Sequence, residues 1–72
     1  MTDLKFDTAV LPNPDRLVGT WRRFGAAGPV YEIIAAGVGL AGGDRLMRVR
    51  VVESDEELDY RFSEILDDPL ER

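Results

Sequence analysis

Residues 45–62, RLMRVRVVESDEELDYRF, hold two stretches in which apolar and charged side chains alternate, separated by an acidic turn, ESDE. Alternation with a period of two is typical of β-strands that bury one face. The alternation places six residues on the apolar faces of the two stretches: Met47, Val49, Val51, Leu58, Tyr60 and Phe62. We therefore expect residues 45–52 and 57–62 to form an antiparallel hairpin whose apolar sides face a common core.

Matching the two apolar faces predicts a register as well as a hairpin. In this register Val49 lies opposite Tyr60. On the charged side Arg48 then lies opposite Arg61, and a like-charge pair in this position costs stability. A slip by one residue would turn every charged side chain towards the core, so the choice of faces is strongly specified.

Two further strands are expected before the hairpin. Residues 19–24, GTWRRF, lead into GAAGP. Its glycines permit positive φ, and the ring of its proline fixes the proline's own φ at a negative value. Residues 30–36, VYEIIAA, then form the next strand. We expect Trp21 to lie against the core. The alternation of the second strand places three residues on one face: Tyr31, Ile33 and Ala35.

The two ends of the chain are less regular. Residues 1–17 fit an arm packed on the sheet, which contains either a short edge strand over residues 4–10 or a helical turn capped by Asn13. Residues 63–66 fit a single helical or 3₁₀ turn capped by Ser63. Residues 67–72 are assigned to a tail.

Together these elements predict one mainly β domain over residues 1–72, since a chain of this length accommodates a single domain. We expect a small SH3-like open barrel or roll of four to five antiparallel strands over residues 18–66, with a short C-terminal helical turn. The alternative is a flat four-stranded sheet with one face covered by a partner subunit.

The composition excludes several kinds of chemistry. The chain has no cysteine and no histidine. Without them it has no disulfide, thiolate nucleophile, Ser-His-Asp triad or cysteine-based zinc site. We expect no catalytic residues, no cofactor and no metal, and we interpret the chain as a protein that is not an enzyme.

Two further motifs are interpreted as ordinary loop and turn segments without a ligand site. Residues 37–42, GVGLAG, match G-x-G-x-x-G, but a β pattern follows them where a dinucleotide site requires a helix. We interpret residues 37–44 as a flexible loop. The acidic residues between 53 and 59 lack the spacing of a calcium-binding loop, and we interpret them as a solvated turn.

A third group forms the candidate binding surface: Trp21, Arg22, Arg23, Arg48 and Arg50. Arginines beside aromatic side chains on a small barrel are suited to single-stranded nucleic acid. The competing interpretation is that the acids Glu32, Glu57 and Asp59 neutralise these arginines across the strands. We favour the second, because the chain has a net charge of −5.

Charge and hydropathy bear on location and partners. Residues 53–72 hold nine acidic and two basic groups, so their net charge is −7. An acidic surface disfavours nucleic acid duplexes and speeds association with basic partners. We expect a cytoplasmic protein without membrane association, since the first residues lack a signal-peptide pattern and no apolar run is long enough to span a bilayer.

Residues 19–32, GTWRRFGAAGPVYE, and 50–69, ending in ILDDP, together resemble a family of small uncharacterised bacterial proteins. Its segments are G-x-W-x-x-F-G-x-x-G-P-x-Y-E and R-V-V-E-x-x-E-E-L-x-Y, followed by I-L-x-D-P. The resemblance implies a bacterial housekeeping or regulatory protein and carries no assigned activity.

From these observations we expect a non-catalytic protein-binding or regulatory module, with an antitoxin-like role as one form. Its partner would be another protein, or a second copy that pairs through a strand edge. The alternative is a nucleic-acid-binding barrel that uses the arginine and aromatic side chains.

Overall fold

A computed structural model describes residues 13–71, which form an antiparallel sheet with a short helix packed on one face. The strands follow in sheet order as β1 (Trp21–Arg23), β2 (Val30–Gly39), β3 (Arg45–Val51) and β4 (Glu57–Arg61). A helix, α1 (Phe62–Asp67), follows β4, and 3₁₀ turns lie at Pro14–Leu17 and Ala41–Gly43. The mainly β class with a C-terminal helix is confirmed. The described strands form an open sheet, and the SH3-like path remains a prediction.

The hairpin of β3 and β4 is confirmed, but its predicted register is wrong by two residues. Val49 lies opposite Leu58, and Arg48 lies opposite Asp59 instead of Arg61. A shift of two preserves which side chains face the core. It also replaces the costly pair of arginines with a pair of opposite charges, and this explains why the observed register is favoured.

The loop between β3 and β4 accounts for the shift. Its span, residues 52–56, is longer than the four-residue turn expected from the sequence. The Val51 N–H donates to the Glu56 carbonyl at 2.7 Å, and the Asp55 N–H donates to the Val51 carbonyl at 2.8 Å. Asp55 adopts a φ of +66°, a region in which aspartate is among the more tolerant residues. This turn moves β4 along β3.

A β-bulge corrects the predicted alternation of β2. Ile33 lies opposite Val49, whereas Ala35 lies opposite Arg48, so β2 contains one extra residue at this point. The extra residue reverses the faces beyond it. Ala36 therefore packs against the core, and Ala35, which the alternation placed there, is exposed.

β2 continues three residues beyond its predicted end at Ala36, through a second irregularity in its pairing with β3. A Cβ at Gly37 would lie 2.5 Å from the Leu46 carbonyl oxygen, so the close approach of the two strands requires glycine there. The glycine motif is followed by β3, which begins at Arg45. No helix follows these glycines to receive a phosphate.

The core lies between the sheet and α1. Its fully or almost fully buried members are Tyr31, Ile33, Met47, Val49, Phe62 and Ile65. The prediction that Trp21 is buried is wrong. Trp21 lies opposite Glu32 on the other face of the sheet, and 44% of its surface is exposed. Phe24, just after β1, packs against the core instead.

The N-terminal end of the described segment shows the predicted cap. The Asn13 side chain accepts a hydrogen bond from the Asp15 N–H at 2.9 Å and Pro14 occupies the first turn, as the helical alternative predicted. The predicted strand over residues 4–10 lies outside the described residues.

The predicted cap of the C-terminal helix is wrong. α1 begins one residue earlier, at Phe62, and its N-cap residue Arg61 makes no side-chain cap. Asp44 accepts from the Ser63 N–H at 3.1 Å and from the Ser63 hydroxyl at 2.7 Å. These bonds, with one from the Arg45 N–H, lower the pKa of Asp44. Asp44 thus joins the glycine loop to the start of α1.

Candidate protein-binding surface

The sheet face opposite α1, here termed the exposed sheet face, carries four of the five predicted surface residues. Trp21 lies opposite Glu32 in β2, and Arg23 lies on the same side of β1. Arg48 and Arg50 lie on this face in β3, since the core residues alternate with them. Arg22 lies on the other face, because its partner across the strands is the buried Tyr31. The predicted grouping on one sheet face is therefore wrong for Arg22.

Acidic side chains contact Arg48 and Arg50, as the neutralising interpretation predicted. An Arg48 Nη lies 3.1 Å from Asp59, and its Nε lies 3.3 Å from Glu57. An Arg50 Nη lies 2.7 Å from Glu32. The arginine side chains are about two-fifths exposed, so water screens these pairs and each contributes little to stability. Their main consequence is an exposed sheet face with balanced charge.

Residues 69–71, which the sequence placed in a tail, run along the outer edge of β1. The Arg23 N–H donates to the Pro69 carbonyl at 3.1 Å, and the Glu71 N–H donates to the Trp21 carbonyl at 3.0 Å. Two nitrogens of the Arg23 guanidinium also lie 3.1–3.2 Å from one Glu71 carboxylate oxygen. The C-terminal segment therefore covers the edge of β1 as an additional short strand would.

Asp68 anchors this segment to the core. One of its carboxylate oxygens accepts hydrogen bonds from the hydroxyls of Tyr31 at 2.7 Å and Tyr60 at 3.0 Å. The other accepts from the Gly25 N–H at 3.0 Å, and the Asp68 carbonyl accepts from Arg22 at 2.9 Å. These four contacts join the C-terminal segment to β1, β2, β4 and the turn after β1.

The Asp68 network holds both tyrosines in the protonated state. Burial, and then the hydrogen bond to Asp68, raise the pKa of Tyr31. The same causes in the same order raise the pKa of Tyr60 to about 12. The two rings and Phe24 pack together, with centroids 4.2–5.5 Å apart. The Asp68 carboxylate accepts three hydrogen bonds from other parts of the chain, so the arrangement acts as a structural anchor.

Sequence reasoning missed this network because Tyr31, Tyr60 and Asp68 are far apart in the chain. A signal was present nonetheless. The family segments end in Y-E, L-x-Y and D-P, and these positions correspond to Tyr31, Tyr60 and Asp68 in this sequence. The position of these three residues at or near the ends of the family segments was a clue to a shared contact.

An open apolar groove lies where the C-terminal segment meets β1. Its volume is about 440 Å³, and Gly19, Thr20, Trp21, Leu70 and Glu71 line it. Trp21 is 44% exposed and Leu70 is 56% exposed. Sequence reasoning marked Trp21 as a residue for binding but did not find Leu70, whose position depends on the path of the C-terminal segment.

These features define a small, mainly β protein with one sheet face covered by its own helix and the other presented to solvent. Residues 9–72 match the model of DUF5397, a family of unknown function, and the chain belongs to this family. No curated protein matches the chain. Within residues 13–71, neither the length nor the hydropathy of any helix suffices to cross a membrane.

Proposed function

We propose that this protein is a non-catalytic protein-binding or regulatory module, and that its partner docks in the groove beside Trp21. The observation that carries the proposal is the exposure of Trp21 next to Leu70 in that groove. Tryptophan is enriched among residues that dominate binding energy. A large apolar side chain left half-exposed beside another apolar residue therefore supports a docking role.

Charge indicates the chemistry of the partner. Residues 53–72 have a net charge of −7, and the groove lies against this segment through Leu70 and Glu71. A partner that presents an apolar side chain flanked by basic residues would fill the groove and be attracted by the acidic segment. An antitoxin-like role, in which a small acidic protein neutralises a basic one in the bacterial cytoplasm, is one form of this proposal.

The ion pairs of the exposed sheet face favour a protein partner over a nucleic acid. Arg48 and Arg50 already contact carboxylates, so a phosphate backbone would have to displace those contacts and would also meet the acids. Phosphate contacts supply most non-specific affinity for nucleic acid. Pairing of the arginines reduces that contribution.

The proposal is tested by affinity capture with the tagged full chain, the Trp21→Ala variant and a Val38→Ala control. Val38 is 65% exposed but lies in β2 away from the groove. We expect the wild type and Val38→Ala to capture the same protein in stoichiometric amount, and Trp21→Ala to lose it. With the captured protein purified, calorimetry should show binding at least tenfold weaker for Trp21→Ala, as is usual for a central tryptophan.

Three results would contradict the proposal. If the wild-type chain captures no protein in stoichiometric amount, the proposed partner does not exist. If the Trp21→Ala variant captures the protein as well as the wild type does, the partner binds away from the groove. Binding of single-stranded RNA or DNA at low salt that Arg48→Glu abolishes would support the nucleic-acid alternative instead.

A further inference from the structure

The two edges of the sheet differ in what covers them. Residues 69–71 hydrogen-bond to the outer edge of β1. At the other end of the sheet order lies β4, and among residues 13–71 no strand or loop hydrogen-bonds to its outer edge through the backbone. An uncovered edge strand is a template for pairing with another strand.

The ladder between β3 and β4 shows which groups of this edge point outwards. The Val51 N–H donates to the Glu56 carbonyl, and hydrogen-bonded pairs alternate along an antiparallel ladder. The backbone groups of Leu58 and Tyr60 therefore point towards β3. Those of Glu57 and Asp59 point away from the sheet, together with the N–H of Arg61.

We infer that two copies of this chain pair along β4, antiparallel and centred on Asp59. In this register the Arg61 N–H donates to the Glu57 carbonyl of the second copy, and the two Asp59 residues exchange backbone hydrogen bonds. The inference uses β4 and is independent of the groove beside Trp21.

Side-chain charge selects this register. It places Glu57 opposite Arg61 of the second copy, and two-fold symmetry makes this attractive pair twice. Within residues 13–71, no acidic side chain lies at salt-bridge distance from Arg61, so no described acid forms an ion pair with it in a single chain. Facing Asp59 residues would repel each other, but each carboxylate already lies 3.1 Å from Arg48 of its own chain.

The side chains on the other face of β4 are also complementary in this register. Leu58 would lie opposite Tyr60 of the second copy, and both side chains are only partly buried in a single chain. An aromatic side chain opposite an aliphatic one is a favourable cross-strand pair. Pairing would therefore bury apolar surface on one face while it forms ion pairs on the other.

The geometry predicts a closed dimer that does not grow further. Pairing through β4 uses the same edge in both copies, so the interface is isologous. The remaining edges are the two β1 edges, which residues 69–71 cover. Within residues 13–71, the outer edge of β1 is therefore already occupied in each copy, and the paired sheet does not continue through β1.

The test is the molar mass of the purified full chain by sedimentation equilibrium over a range of concentrations. We expect a monomer–dimer equilibrium. Arg61→Glu and Glu57→Arg each place like charges opposite each other twice, and each should weaken the dimer about ten- to hundredfold. Arg16→Glu changes the net charge as Arg61→Glu does, but lies in the 3₁₀ turn Pro14–Leu17, and it should leave the dimer unchanged.

Mixing the two edge variants gives the sharpest result. Arg61→Glu combined with Glu57→Arg restores opposite charges at both positions of a mixed dimer, so the mixture should dimerise although neither variant does alone. Circular dichroism of each variant confirms that it is folded. A wild-type chain that stays monomeric at millimolar concentration overturns the inference. So does a dimer that is insensitive to Arg61→Glu, or a mixture of folded variants that remains monomeric.

Discussion

Two of the polar networks within residues 13–71 lie on opposite faces of the sheet, and they differ in burial. On the core face, Asp68 accepts hydrogen bonds from Tyr31, Tyr60 and the Gly25 N–H. On the exposed sheet face, Arg48 and Arg50 form ion pairs that are about two-fifths open to water. Both networks connect neighbouring strands.

The difference in burial determines what each network does. A buried donor that loses its acceptor cannot turn to water and loses the full free energy of its desolvation. An exposed ion pair that is broken is replaced by water at almost no cost. The Asp68 network therefore holds the C-terminal segment on the sheet, whereas the ion pairs balance charge and favour one strand register.

The largest effect is expected when Asp68 is removed. Asp68→Ala should lower the free energy of unfolding by about 3 kcal/mol. The hydroxyl of the buried Tyr31 loses its acceptor, which costs roughly 1–3 kcal/mol, and the partly buried hydroxyl of Tyr60 loses a hydrogen bond that contributes about 1 kcal/mol. Urea unfolding followed by circular dichroism measures this change. A small domain has roughly 3–5 kcal/mol in total, so the variant should be close to unfolding.

Asp67→Ala is the matched control for this substitution. Asp67 precedes Asp68 in the chain, is exposed, and its carboxylate forms no hydrogen bond within residues 13–71. Its removal should change stability by less than about 0.5 kcal/mol, as for most surface positions. Equal losses for the two variants would show that the Asp68 network does not stabilise the fold.

Alkaline pH should break the same network without a mutation. The folded chain holds the pKa of Tyr60 at about 12, above its ordinary value of 10.0, and that of Tyr31 is also raised. The stability contributed by the protonated tyrosines is therefore complete below pH 10 and is lost as the pH rises towards 12. Unfolding followed by circular dichroism should begin above pH 10.

Tyrosinate absorbance provides the site-specific measurement, because the chain has two tyrosines. In the Tyr31→Phe variant Tyr60 is the only tyrosine that titrates, and in the Tyr60→Phe variant Tyr31 is the only one. Each should ionise above its ordinary pKa as long as the chain is folded. Titration at the ordinary value in a folded variant would mean that the hydroxyl is not held by Asp68.

A smaller effect is expected when one hydroxyl is removed. Tyr60→Phe should lower the free energy of unfolding by about 1 kcal/mol, the net contribution of a typical hydrogen bond, because Asp68 keeps the hydroxyl of Tyr31 as a donor. Urea unfolding gives the value. A loss as large as that of Asp68→Ala would indicate that the ring, and not the hydroxyl, is disturbed.

The sequence predicted the elements better than their positions. Alternating side chains in residues 45–62 predicted both faces of the hairpin, since a period of two leaves little choice. The predicted register was wrong because the register depends on the conformation of the loop. Asp55 adopts a positive φ there, and the residue types of the loop do not predict it. Turn geometry sets hairpin register and is only partly readable from sequence.

Two other positions were ambiguous in the sequence itself. In β2, Ile33, Ile34, Ala35 and Ala36 are all apolar, so alternation could not reveal the bulge that brings Ala36 to the core. In β1, Trp21 is followed by two arginines, and one of them must face inward whichever register is chosen. In the structure Arg22 faces inward, and its guanidinium donates a hydrogen bond to the Asp68 carbonyl. The two residues are too distant in the chain for this contact to be predicted from the sequence.

The smallest expected effect tests the exposed network and the register together. A double-mutant cycle of Arg48→Ala and Asp59→Ala should give a coupling of about 0.5 kcal/mol, the usual size for an exposed ion pair. The cycle of Arg50→Ala and Asp59→Ala should give almost none, because Arg50 contacts Glu32 and Asp55 and lies opposite Glu57. Matching of the apolar faces in the sequence would reverse this order, since it places Arg50 opposite Asp59. A larger coupling for Arg50 than for Arg48 would therefore contradict the observed register.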